Sequence, residues 1–140
     1  MAEILGIVAG VTGIVDVGIR VSGRLHKIAK VWKHAPDEIL ALSREVSDFT
    51  AVMHSVEDAC RSIQLAPSAS TRLASTLGDN IMKAAELIRD IDDAIQELAS
   101  LPKLKQRSKW LSLRTTLEQK IKALHGFRVH VGHLLRAQGM

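Results

Sequence analysis

His130 and His133 stand three residues apart near the end of the chain, with His125 just before them. On a helix that spacing puts two imidazoles on one face, where they could hold a metal ion. Such a site also needs carboxylates or thiolates, and the nearest carboxylate is Glu118, two turns before His125. The Glu-x-x-His pairs of di-iron bundles are missing, so these histidines read as surface residues and no metal is expected. Asp90, Asp92 and Asp93 could in principle do acid–base chemistry. Adjacent helical positions diverge, however, and the expected reading is a solvated acidic face. Cys60, the one cysteine, falls on an apolar stripe and reads as a buried, inert thiol. A single cysteine excludes an internal disulfide framework and a Cys-based zinc site. It also fits a reducing compartment. No nucleophile–base pair, phosphate loop or catalytic constellation emerges, so the chain is expected to be no enzyme and to take no cofactor.

Gly6, Gly10 and Gly13 form the pattern that most needs an account. They follow no strand, which excludes a dinucleotide-binding loop. At 100° per residue they share one helix face, and each costs about 1 kcal/mol relative to alanine inside a helix. Close approach to another helix is the usual return. Two readings stay open: the first helix sits tightly in its own bundle, or it leaves and associates with copies of itself in a bilayer. The surrounding segment, Ile4 to Val15, carries no charge and reads as apolar all round, before Asp16 interrupts it. It is shorter than the roughly 20 apolar residues of a membrane span. Glu3 is the only early charge, so a cleavable signal peptide is not expected.

The elements that must carry these residues are helices. Among 140 residues, 46% are hydrophobic but only 3% aromatic, a composition against a β-sandwich or barrel. Pro36, Pro67 and Pro102 divide the chain into segments 1–35, 36–66, 67–102 and 103–140. Pro36-Asp37-Glu38 reads as a first helical turn, and Ser68 and Ser70 as N-cap candidates. Each segment carries an apolar stripe at alternating spacings of three and four. The stripes are Val17, Val21, Leu25, Ile28 and Trp32; Ile39, Leu42, Val46, Phe49, Met53, Val56, Cys60 and Ile63; Leu77, Ile81, Ala84, Ile88, Ile91, Ile95 and Leu98; and Leu113, Leu117, Ile121, Leu124, Phe127, Val131 and Leu134. The expected fold is a single all-α domain, an antiparallel up-down four-helix bundle with an apolar N-terminal helix.

The net charge of +4 is unevenly placed. Five basic and two acidic residues give the first segment +3, and nine against one give the last +8. The second and third carry −4 and −3. Arg20, Arg24, Lys27 and His34 form a stripe after the apolar stretch, with Lys30 and Lys33 beside it. A basic flank beside an apolar helix attracts anionic headgroups at about 1 kcal/mol per residue. The competing reading is a set of basic faces that pair with the acidic second and third helices. Few stacking aromatics and no nucleic-acid motif argue against nucleic acid.

Two motifs carry a family resemblance. The opening MAEILGIVAGVTGIVDVGIRVSGRLHKIAKVWKHAPDEILALSREV joins an apolar, glycine-rich first helix through a charged stretch to Ala35-Pro36-Asp37-Glu38-Ile39 with Leu42. Lys109-Trp110, in RSKWLSLRTTLEQKIKALHGF, opens the last helix. Together these resemble the HeLo-like N-terminal domain of fungal NLR-like (STAND) proteins and amyloid-controlled cell-death effectors. That family is similar in architecture to the N-terminal bundles of the mixed-lineage kinase-like necroptosis effector and of plant coiled-coil resistance proteins. The resemblance covers essentially the whole chain.

It implies a non-enzymatic executioner of regulated cell death, of the kind used in innate immunity and heterokaryon incompatibility. The implied protein is cytoplasmic at rest and at the plasma membrane when activated. Clustering would release the first helix to insert and make the membrane leaky. Carried onto this sequence, the inserting residues are Ile4, Leu5, Ile7, Val8, Val11, Ile14 and Val15, and the helix-association glycines are Gly6, Gly10 and Gly13. The headgroup residues are Arg20, Arg24, Lys27 and Lys30. Implied partners are anionic lipids, further copies of the chain, and an NLR or amyloid-motif partner or C-terminal region. Asp16 departs from the pattern, because a carboxylate in a bilayer costs a few kcal/mol. No amyloid motif or NTPase module follows, so an excised domain or control by a partner is expected. The alternative from the residues alone is an adaptor bundle that never meets lipid. Pairing of Asp16 and Glu3 within the core would favour it.

Overall fold

The computed structural model describes the backbone of residues 2–32, 37–64 and 71–137, and the side chains of 8–30, 32, 37–59, 78–134 and 136. Four helices account for almost all of it: α1 (Ala2–Val31), α2 (Asp37–Gln64), α3 (Thr71–Ser100) and α4 (Lys103–Ala137). The acids Asp37 and Glu38 sit in the first turn of α2, at the positive end of its dipole. Pro102 stands just before α4 and has no amide hydrogen to lose there. Its carbonyl receives the amides of Lys105 and Gln106 at 2.8 and 3.2 Å, closing the first turn. Pro36, Pro67, Ser68 and Ser70 lie outside the described residues, as do the side chains of Cys60, Ile63 and Leu77.

The stripes meet in one core. Val21, Leu25, Ile28 and Trp32 come from the α1 end, and Ile39, Leu42, Val46, Phe49, Met53 and Val56 from α2. The α3 stripe from Ile81 to Leu98 is buried, and α4 adds Trp110, Leu117, Leu124, Phe127 and Val131. Val17, Leu113, Ile121 and Leu134 pack against this core half-buried. Phe49 and Phe127 meet edge to face with ring centres 5.8 Å apart, tying α2 to α4.

Named pairs fix the directions. Thr12 meets Glu57, and Ser22 meets Ser47, so α1 and α2 run antiparallel. Asp90 meets Lys120 and Glu97 meets Lys109, so α3 and α4 do too. Gly10 lies by Ile81 and Arg20 by Asp92, which makes α1 and α3 parallel. Glu38 with Arg114 and Glu45 with Arg128 make α2 and α4 parallel. Among the described residues α1 packs on α2 and α3, and α4 packs on α2 and α3. The pairs α1/α4 and α2/α3 lie on the diagonals. The bundle is therefore two antiparallel helical hairpins, α1–α2 and α3–α4, set face to face. Periodicity names the buried face of each helix but not its neighbours, which is why this arrangement is absent from the stripe pattern.

Candidate functional site

The described part of α1 is amphipathic, not apolar all round. Val11, Ile14 and Val15 are buried in the core, and Val8 packs partly against it. Ala9, Thr12, Gly13 and Asp16 are exposed, so the outward face carries mostly small or polar residues, with Ile19 exposed further along. The sequence hides this because alanine, glycine and threonine are scarcely polar. Among the described residues no helix is long and apolar enough to cross a membrane. The side chains of Ile4, Leu5 and Ile7 lie outside the described residues, as does any contact of Gly6 or Glu3. Asp16 is on the surface, not in the core.

Gly10 and Gly13 line one cleft between α1 and α3 but differ in how closely they are approached. A Cβ on Gly10 would stand 3.3 Å from the Ile81 side chain, so Gly10 marks a close approach of α1 to α3. Nothing lies within 4 Å of a Cβ on Gly13. The tightest contact belongs to Gly18, where a Cβ would collide with the Thr50 hydroxyl on α2. That hydroxyl donates to the Val46 carbonyl at 2.7 Å, which fixes its rotamer. Gly18 was legible only as the one glycine in a run of larger core-facing residues, once the neighbour was known.

The two arginines of the basic flank are tied to a single acid. Asp92 of α3 is nearly enclosed, with 6% of its side chain exposed. Its two oxygens accept from Arg20 at 2.8 Å and Arg24 at 3.0 Å, and Gln96 donates at 3.1 Å. Arg20 and Arg24 keep 48% and 32% of their side chains exposed. The hydrogen bond that Arg20 donates to Asp92, then the charge of Asp92, raises the Arg20 pKa above its ordinary value, with Asp16 adding a smaller push. The solvated acidic face expected at Asp90, Asp92 and Asp93 is thus corrected at its centre. Asp90 and Asp93 are exposed, but Asp92 points between helices. Its place three residues before Ile95 and four after Ile88 on the buried side is the available signal. Lys27 and Lys30 are exposed.

The α4 cations face the acidic helices. Lys109 meets Glu97 at 3.0 Å, Arg114 meets Glu38 at 3.5 Å, and Lys120 meets Asp90 at 3.1 Å. Arg128 uses two nitrogens on Glu45, at 3.2 and 3.4 Å, with His125 beside it. These are mostly half-exposed pairs worth up to about 1 kcal/mol each. His130 and His133 are exposed. Among the described residues no group of three His, Cys, Asp or Glu could hold a metal ion.

A groove between α2 and α4 encloses about 380 Å³. Its lining is mainly apolar, from Ala41, Leu42, Trp110, Leu117 and Ile121, with charged residues at the rim. Neither the family resemblance nor the charge pattern points to it. The chain matches no family model, and no curated protein or solved structure matches it either.

Proposed function

We propose that this bundle is a membrane-targeting execution domain of regulated cell death that rests with α1 sheathed. The observation that carries the reading is the coincidence on α1 of a buried apolar side and a basic flank bound to one α3 carboxylate. Leaving the bundle would expose both at once. An amphipathic helix with that flank lies in the headgroup region of an anionic bilayer, and several copies disturb it together. Asp16 then stays on the polar side of the helix, which removes the cost it would have in a span. In this reading Val8, Val11, Ile14 and Val15 enter the lipid, with Ile4, Leu5 and Ile7 ahead of them. Arg20, Arg24, Lys27 and Lys30 meet the headgroups.

The test is dye leakage from anionic vesicles by the whole chain, clustered through a fused oligomerising tag. Cysteines at Ser22 and Ser47 supply the control, because their hydroxyls are 2.8 Å apart across α1 and α2. Leakage with the pair reduced and silence with it oxidised supports release of α1. No leakage from folded, clustered protein in either state overturns the reading. A second reading is an adaptor bundle. Its observation is Leu104 and Leu111, seven residues apart on one face of α4 and 95% and 64% exposed. Self-association lost on Leu104→Ser with no effect on vesicles favours that reading.

A further inference from the structure

Two outward faces of the bundle are opposite in charge, and each carries exposed apolar side chains. On α3, Asp79, Met82, Glu86 and Asp93 follow at spacings of three, four and seven, so they share one exposed face. Met82 is 68% exposed at its middle. Lys83 and Arg89 stand at its edges. On α4, Leu104, Arg107 and Leu111 share a face at spacings of three and four, and all three are exposed. Lys103 and Lys105 flank them, and no acid occurs from Lys103 to Leu117. Among the described residues neither these acids of α3 nor Lys103, Lys105 and Arg107 make an ion pair. Both faces therefore keep their charge for something outside the bundle.

We propose that the Leu104–Leu111 face of α4 docks on the Asp79–Asp93 face of α3 in a second copy of this chain. Charge selects the pairing. The same helices already attract each other within the chain, where Lys109 meets Glu97 and Lys120 meets Asp90. A symmetric contact of α4 on α4 would set Lys103, Lys105 and Arg107 against their own kind. An anionic lipid surface would use the α4 face and leave the α3 face idle, whereas a second copy uses both. The apolar parts match as well, because docking covers the two leucines with Met82. Asp79, Glu86 and Asp93 recur every seven residues, as the leucines do, so both stripes advance by about 10 Å per repeat. The contact is head-to-tail, and each added copy leaves one face of each kind open, so it can repeat. It supplies the clustering that the proposed function calls for, but it does not rest on that reading, because it forms in solution.

Sedimentation of the whole chain over a range of concentration and salt tests it, without vesicles. Leu104→Ser with Leu111→Ser strips the α4 face, and Met82→Lys with Glu86→Lys reverses the α3 face. All four positions are exposed, so helix content and the unfolding midpoint are expected to hold. The unaltered chain is expected to form species larger than a dimer, more weakly as salt rises. Each double variant alone is expected to associate at least roughly tenfold more weakly. Mixed in equal amounts, the two variants are expected to associate again but to stop at pairs, since each pair has only one intact α4–α3 contact left to make. No self-association of the unaltered chain at roughly 1 mM, a loss with only one of the two variants, or no recovery on mixing overturns the proposal. Vesicle binding lost with the α4 variant while self-association stays unchanged also overturns it, in favour of a lipid surface.

Discussion

Trp32 and Trp110 meet edge to face, with ring centres 6.4 Å apart and planes at 81°. With the Trp32–Gln106 hydrogen bond and Arg107 lying 6.0 Å from the centre of the Trp32 ring, they join the α1 end of the chain to α4 across a diagonal of the bundle. Only Trp32 has its donor satisfied, through Gln106, whose own amide donates to the Leu101 carbonyl at 3.1 Å. Trp32→Phe should therefore cost about 1 kcal/mol more than Trp110→Phe, because it alone breaks a hydrogen bond. Urea unfolding of the two variants measures the difference, and equal losses would contradict the assignment.

Asp92→Asn keeps the shape of the side chain but removes the charge that faces two arginines. A loss of about 1–3 kcal/mol is expected. Arg20→Ala and Arg24→Ala should each cost less, since both guanidinium groups are partly solvated already. The raised Arg20 pKa adds stability that is full below the unfolded guanidinium value and fades only in strong alkali. Arg20 is thus expected to give no pH dependence in the neutral range, which an unfolding series across that range checks.

Glycine substitutions should separate by neighbour. Gly18→Ala drives a methyl into Thr50 and is expected to cost about 1–3 kcal/mol. Gly13→Ala meets nothing and is expected to stabilise by about 0.5–1 kcal/mol through helix propensity. If Gly13 serves helix association in a membrane, the same alanine reduces leakage while raising the unfolding midpoint. A parallel fall in both would place Gly13 in the packing of the bundle.

Ser22→Cys with Ser47→Cys, in a Cys60→Ser background, should close a disulfide on mild oxidation. A loop of 25 residues implies about 3 kcal/mol of added stability. Thermal unfolding with and without reductant reads that gain directly. Failure to oxidise would mean that α1 and α2 are not in the register described.

The four buried stripes were legible because a helix on one core repeats its apolar residues every three or four positions. Ile39 to Val56 and Ile81 to Leu98 are buried position by position. The site was less legible. Asp92 looks like its neighbours Asp90 and Asp93, and its enclosure follows only once α1 lies beside α3. Glu57 is similar, a carboxylate buried beside Thr12 that periodicity leaves among polar residues. Trp110 stood out in the sequence beside Lys109, but that its indole nitrogen is buried without a partner shows only in the packing. Such facts belong to pairs of helices, and one stripe says nothing about its partner.

The two-hairpin arrangement also bears on assembly. Every interface between the hairpins, α1 on α3 and α2 on α4, joins surfaces that a second copy presents identically. Among the described residues α2 and α3, which residues 65–70 join in sequence, do not touch. Two crowded copies can exchange hairpins and rebuild every one of these contacts, so domain swapping needs no new surface. In the proposed function, clustering would act by mass action on interfaces already present within one chain.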